Sequence, residues 1–413
     1  MIQLAHKIEL DPTVQQCVFF ARACGTARFA YNWGLSEWQR QYRAGEKPSE
    51  AALRRQLNAI KEEAFPWMLD VGKVAPQQAI KNLGSAFKRF FKGLGKYPRR
   101  HKKGRHDSFR ADNGPLNAQS HAVQIAGQEV TLPRIGRVRM KEQLRLQGRV
   151  VSCVVSREAD RWFASFSVEI EHTAPNRENQ AAVGCDLGLT QLATLSDGTV
   201  IENPKALRRN LTKLRRLQRS LSRKGKGSSN RKKARMKVAR LHYRIRCIRQ
   251  DVLHKLTTML AKTFTVIGIE DLNVLGMMKN RKLARAVADV GFYEFKRQLA
   301  YKAQLYGAKI VLADRWFPSS KLCSECGWLK PELSLGEREW ICQECGCVHD
   351  RDVNAARNLK MMAASAAVTA CGEDVRRALR DALTSTKQEP GPMQLDSHDQ
   401  VCVGSGVRFG LDC

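Results

Sequence analysis

The chain has 413 residues, 43% of them hydrophobic, enough for several domains that bury cores; 71 Lys and Arg stand against 40 Asp and Glu, for a formal charge of +31. So large an excess repels itself in a compact state, which argues against a merely solvated basic surface and for a polyanionic partner, nucleic acid above all. No run nears the roughly 18 apolar residues of a membrane helix, and the opening MIQLAHKIELDPT lacks the apolar core of a signal peptide. The expectation is a protein that stays inside the cell, where its 13 cysteines are reduced and close pairs among them mean metal rather than disulfides. Isolated Cys17, Cys24, Cys153, Cys185 and Cys247 read as core residues.

In chain order, IQLAHKIEL alternates as a strand does, and from DPTVQQ onward apolar residues recur at helical spacing up to a glycine. Helical patterning continues through SEAALRRQLNAIKEEAFPWML to QQAIKNLGSAFKRFF. The stretch KRFFKGLGKYPRRHKKGR sets Phe90, Phe91 and Tyr97 among basic side chains. It fits a loop that grips phosphates and stacks on bases, or equally the end of a core helix. From 108 to 172 short alternating runs with turn signals predict a small antiparallel barrel or sheet, and the first strand is expected to join it.

After the polar linker TAPNRENQ, the segment AAVGCDLGLTQLATLSDGTVIE predicts three hairpin-linked strands that open a new domain. Residues 205–250 contain no Asp or Glu, and Leu207, Leu211, Leu214, Leu217 and Leu221 fall at helical spacing before the break KGKGSSN. The pattern predicts two antiparallel basic helices with apolar stripes packed inward and a face suited to a phosphate backbone. TFTVIGIEDL reads as a strand buried on both faces, FYEFKRQLAYKAQLYG as a helix, AKIVLADR as another buried strand and NAARNLKMMAASAA as a final helix. Beyond residue 372 periodicity fades into an expected disordered tail.

Two constellations carry chemistry. Cys323-x-x-Cys326 and Cys342-x-x-Cys345, separated by fifteen residues, match a four-cysteine zinc ribbon, a closed thiolate shell and therefore a structural Zn²⁺ site. Cys347 and His349 lie close enough to compete as ligands, but the two pairs already fill the shell. The second is dispersed: Asp186 and Glu270 end strands, and Asp350 or Asp352 precedes the last helix. Acids at such places commonly cap turns, and spacing alone leaves that reading open. Brought together, they would make an oxygen-rich site for Mg²⁺ and, with two ions, for phosphodiester cleavage.

GCDLGLTQLATLSDG, GIEDLNV, the four-cysteine ribbon and HDRDVNAARN occur in this order, and CGTARFAYNWGL precedes them. In these motifs the chain closely resembles the TnpB family, also called OrfB, of bacterial and archaeal insertion sequences, relatives of the type V CRISPR effectors; the likeness runs over roughly residues 1 to 362. The resemblance implies an α/β multidomain protein: an RNase H-like (RuvC) nuclease domain with an inserted zinc ribbon, a β-barrel wedge domain and a helical recognition lobe. Mapped onto this chain, the first wedge strand is 1–10, the lobe 11–107 and the barrel 108–175. The nuclease domain is 181–318 and 349–372, the ribbon 319–348, and the tail 373–413.

The resemblance also selects Asp352, with Asp186 and Glu270, as catalytic Mg²⁺ ligands, and leaves Asp350 as a helix-start or supporting acid. It implies an RNA-guided DNA endonuclease of a transposable element, with a guide RNA from the element's end and double-stranded target DNA cut beside a short adjacent motif. Such a protein belongs in the cytoplasm of a prokaryotic cell, at the nucleoid, with no membrane partner and as monomer or dimer. The alternatives are a guided DNA-binding regulator that never cuts and a transposase carrying out strand transfer. In sister elements strand transfer is attributed to a different protein with paired histidines, and His-x-His is absent here.

Overall fold

The computed structural model describes residues 1–366 apart from 106, 114–122, 174, 176, 178–180 and 335; the tail expected at 373–413 lies outside the described residues. Two compact units divide between His172 and Thr173. No described helix is long and apolar enough to cross a membrane.

In the first unit, β1 (Ile2–Asp11) is followed by α1 (Val14–Arg43), α2 (Glu50–Ala64), a 3₁₀ turn (Pro66–Asp70) and α3 (Val74–Phe91). Then come β2 (Ser108–Asp112), β3 (Gln124–Ala126), β4 (Glu129–Leu132), β5 (Gly136–Met140), β6 (Arg149–Glu158) and β7 (Arg161–Ile170). The strands form one seven-stranded antiparallel sheet in the order β2-β6-β7-β1-β5-β4-β3. β1 lies in its middle, paired with β7 from Ile2↔Ile170 to Leu10↔Trp162 and with β5 at Leu10↔Met140, so the helices are an insertion after the first strand.

Local chemistry starts α1 sharply. The Thr13 hydroxyl accepts from the Gln16 amide at 3.3 Å while the Gln16 side chain accepts from the Thr13 amide at 3.0 Å, a reciprocal capping box. Phe20 of α1 packs on Trp162 of the sheet with ring centroids 5.1 Å apart. A second core of Ala30, Leu35, Leu53, Leu57, Ile80, Leu83 and Phe87 joins α1, α2 and α3. Because α3 runs to Phe91, Phe90 and Phe91 close a helix rather than sit in a loop; Tyr97 meets Phe87 and Phe90 edge-on.

The second unit holds β8 (Ala182–Leu187), β9 (Gln191–Leu195) and β10 (Val200–Glu202), then α4 (Ala206–Ser222) and α5 (Ser229–Thr263). β11 (Val266–Glu270), α6 (Val274–Lys279), α7 (Ala284–Val290), α8 (Phe292–Tyr306) and β12 (Lys309–Ala313) follow. β13 (Glu339–Ile341), β14 (Val348–Asp350) and α9, described over residues 351–366, complete it. The sheet order is β10-β9-β8-β11-β12, with β8, β11 and β12 parallel and β9 and β10 antiparallel. β11, between two parallel neighbours, is buried along Ile267, Gly268 and Ile269, as its continuous apolar run requires.

β12 corrects the expectation of a second buried strand. It is the sheet's edge and leaves Leu312 exposed, so an apolar run this short did not distinguish an edge from a centre. The acid-free segment forms α4 and the first two-thirds or so of α5, a hairpin with Leu214, Leu241 and Ile245 buried between its helices. α6 and α7 have no counterpart in the sequence-based expectations. They are short, and α7 is tied down from outside its own segment: buried Asp289 accepts the amides of Leu207 and Arg208 at the start of α4, at 2.9 to 3.1 Å.

Candidate active site and metal centre

β8 and β11 run parallel with Gly184 opposite Gly268 and Cys185 opposite Ile269. Asp186 and Glu270 each follow one residue after that last pair. Side chains two residues apart share a face of a strand, so the two carboxylates emerge on the same face as the two glycines, about 6.6 Å further along. That face is where α9 sits. A Cβ at Gly184 would lie 1.8 Å from the Ala356 carbonyl oxygen, and one at Gly268 would lie 2.3 Å from that of Leu359. The pair of glycines is therefore a trough that admits the backbone of α9 itself. The missed signal is visible in retrospect: each strand carries a glycine two residues before its acid, Gly184-Cys-Asp186 and Gly268-Ile-Glu270.

Asp352 lies four residues before Ala356, about 6 Å along the helix axis. Its charge reaches Asp186: burial first, then the like charges of Glu270 and Asp352, push the Asp186 carboxyl up to about 8, opposed by Arg351 and by the Leu187 amide. The three acids thus share one electrostatic environment although each arrives on a different element. Asp352 also takes an ion pair from Arg338 at 3.3 Å. Asp350 points elsewhere; its carboxylate accepts the Val353 amide at 2.8 Å and caps the start of α9. Asp271, beside Glu270, is likewise engaged, held by Lys296 at 2.9 Å and Arg315 at 2.8 Å, which draw its carboxyl below the ordinary range.

Glu270 is oriented by a residue that sequence reading passed over. Ser319, buried, donates from its hydroxyl to Glu270 Oε1 at 2.6 Å. The loop carrying Ser319 is clipped to α9 by two buried asparagines: Asn358 donates to the carbonyls of Ser319 and Leu322 at 2.7 and 2.6 Å. Asn354 donates to Leu322 at 2.7 Å and accepts the Ser324 amide at 2.9 Å. The Asn-Ala-Ala-Arg-Asn stretch thus seats Ala356 over Gly184 and uses its asparagine amides to hold the root of the next feature.

That feature is the cysteine cluster. The sulfurs of Cys323, Cys326, Cys342 and Cys345 all lie within 4.8 Å of one another, with Cys323 to Cys345 at 3.7 Å and Cys326 to Cys342 at 3.5 Å. Zn–S bonds of about 2.3 Å at tetrahedral angles separate sulfurs by about 3.8 Å, so the four fit one Zn²⁺. Each pair ends on a glycine of positive φ, Gly327 at 80° and Gly346 at 72°, whose amide donates back to the first cysteine's carbonyl at 3.0 Å. A side chain at that φ would be strained, and without the turn the second thiol would not face the first. Cys347 is outside the cluster. His349 adjoins it from behind, its Nε2 at 3.0 Å from the Cys323 sulfur and its ring against Trp340.

Comparison with known proteins matches residues 165–281 to the OrfB family of IS605-type elements, described as "Probable transposase", residues 292–359 to a Cas12f1-like TNB domain and residues 1–47 to the family's helix-turn-helix domain. Over 401 residues the chain is 41% identical to a Streptomyces pristinaespiralis protein named "Putative RNA-guided DNA endonuclease", covering 94% of this chain and 96% of that one. The chain belongs to the TnpB (OrfB) family. A second TnpB relative, InsQ of Escherichia coli K12 and of the same description, is 36% identical over 94% of this chain and 98% of its own. Among solved structures, the protein of a Cas12f1–sgRNA–target DNA complex matches 84% of this TnpB chain at a TM-score of 0.57 and 14% identity, which establishes a shared α/β multidomain fold.

Proposed function

We propose that this TnpB chain is an RNA-guided DNA endonuclease encoded by a transposable element, which uses Mg²⁺ at Asp186, Glu270 and Asp352 to cut target DNA beside a short adjacent motif. The observation that carries the proposal is the shared environment of those acids, two at the ends of adjacent parallel strands and one in the first turn of the helix laid across them. Relatives named for guided DNA cleavage support it, and so does a fold shared with an effector solved with guide RNA and target DNA.

The donor set is all oxygen, which suits Mg²⁺ and not a thiophilic ion. When bound, a pair of such ions activates water and stabilises the leaving oxygen of a phosphodiester. The chain's part is positional: Asp186 and Glu270 are fixed by strand register, Asp352 by the glycine trough, and Glu270 Oε1 by Ser319, which leaves Oε2 free of that hydrogen bond. Cys323, Cys326, Cys342 and Cys345 hold a structural Zn²⁺ whose shell has no place for water.

In this reading 181–318 and 349–372 are a RuvC-like nuclease domain, 319–348 its ribbon insertion, 1–10 and 108–175 a wedge barrel and 11–107 a recognition lobe. The α4–α5 hairpin, free of acids from residue 205 to 250, and the basic stretch after α3 supply phosphate contacts to guide RNA and double-stranded target. The complex works in the cytoplasm of a prokaryotic cell, at the nucleoid.

The test is to purify the protein, sequence the RNA that comes with it and supply a plasmid matching that RNA. Expected are an RNA mapping to the flank of the gene and cleavage that Asp186→Ala abolishes. Random cellular RNA and no cutting would replace the proposal with a DNA-binding regulator; joined ends made without RNA would replace it with a transposase.

A further inference from the structure

The loop between β12 and the ribbon carries the most exposed aromatic side chain of the described residues. Trp316 is 85% exposed and makes no ring contact among them. Single exposed apolar residues are ordinary, so exposure alone decides nothing. The position does.

The loop is bracketed at both ends by Glu270. It leaves β12 at Ala313, the register partner of Glu270 on the neighbouring strand, and returns at Ser319, whose hydroxyl touches the Glu270 carboxylate at 2.6 Å. Trp316 is the midpoint, three residues from either end, so its Cα lies within about 10 Å of both.

Neither is the loop a loose tether. The Trp316 amide donates to the Asp314 side chain at 2.9 Å, the Phe317 amide to the Asp314 carbonyl at 3.0 Å and the Ser319 amide to the Phe317 carbonyl at 2.8 Å. Arg315 is pinned to Asp271, and Phe317 turns inward, half-buried. The turn thus holds its neighbours down and raises one indole into solvent from a loop whose two ends both meet Glu270.

The geometry points to Trp316 as a stacking platform for an unpaired base of the DNA strand entering the carboxylate site. This inference rests on the nuclease reading and deepens it by naming a residue that positions an unpaired strand at the point of cutting. An indole needs an open π-face, which every unpaired base offers and a base pair inside a duplex does not. The surrounding charge agrees, since Arg351 is near enough to act on Asp186, and a chain of net charge +31 attracts phosphates without reading bases. Stacking would then fix where along the strand the phosphate meets the acids.

The test measures binding alone, without added divalent cations, on the zinc-loaded full-length Asp186→Ala protein, with and without Trp316→Ala or Trp316→Phe. The probes are a short oligothymidylate, an abasic deoxyribose-phosphate oligomer of the same length, and the oligothymidylate paired with its complement. Expected is a loss of roughly tenfold in affinity for oligothymidylate in Trp316→Ala, largely restored in Trp316→Phe, with the abasic and duplex probes unchanged. The inference is overturned if oligothymidylate affinity stays within roughly twofold of the parent, or if the abasic probe falls in parallel. It is also overturned if Trp316→Ala instead changes sedimentation, because the indole then covers a second copy of the chain. Since no cleavage enters this assay, a wild-type protein that cuts nothing would refute the nuclease reading separately.

Discussion

The cysteine ribbon and the carboxylate site sit at opposite extremes of how a chain builds a centre. The ribbon's ligands all come from within residues 323–345 and are turned inward by local hydrogen bonds at Gly327 and Gly346. The acids come from β8, β11 and α9, and nothing local joins Asp186 to Asp352; the trough at Gly184 and Gly268 does. A local centre is made by its own metal and turns, whereas a distributed one is inherited from a packed core. The two should therefore fail differently.

The largest effect is expected at the ribbon. Cys323→Ser removes one thiolate of a site whose metal contributes on the order of 10 kcal/mol to folding the segment around it. Zinc content should fall below half an equivalent and proteolysis should open residues 319–348, with both main sheets still folded by circular dichroism. Next come the acids. Asp186→Ala, Glu270→Ala or Asp352→Ala should each lower guided cleavage by on the order of a thousandfold while leaving the melting temperature near or above that of the parent. Retained cutting in any of them would break the triad.

Gly184→Ala probes the joint itself. A methyl group there meets backbone, not a yielding side chain, and should cost about 3 kcal/mol or more and shift Asp352, so that stability and cleavage fall together. The burial of Asp186, with repulsion from Glu270 and Asp352 added, gives a pH signature. Asp186 is protonated more readily in the folded protein than in the unfolded chain, so its contribution to stability is full below about 4, its ordinary value, and is lost as pH rises toward about 8. Without divalent cations, Asp186→Asn should therefore gain stability over the parent between pH 5 and pH 8, and millimolar Mg²⁺ should abolish the gain. The smallest effect belongs to Asp350→Ala, which loses a helix cap worth about 1 kcal/mol and should cut nearly normally.

The same contrast explains what could be read from sequence. Cys323, Cys326, Cys342 and Cys345 declare themselves because local spacing is their geometry. The strand at Val266–Glu270 was legible from its unbroken apolar run, and the α4–α5 hairpin from its leucine stripe and the absence of acids over 205–250. The acids could be nominated from strand ends, but Asp350 and Asp352 stayed tied until a family pattern separated them. The physical difference between them, a cap hydrogen bond from Val353 to Asp350 against a charge of Asp352 felt at Asp186, exists only in three dimensions. Ser319 gave no signal at all, because a serine in a loop looks the same whether it faces water or Glu270.

The asparagine clip has a consequence for anyone wishing to shorten this protein. Asn354 and Asn358 both spend an amide on the Leu322 carbonyl, and Asn358 a second hydrogen bond on that of Ser319. The ribbon is therefore replaceable only beyond its roots. A miniaturised version can exchange the span between the two knuckles for a plain turn, but residues 318–324 must keep their path, since their carbonyls moor the helix that brings the last acid home.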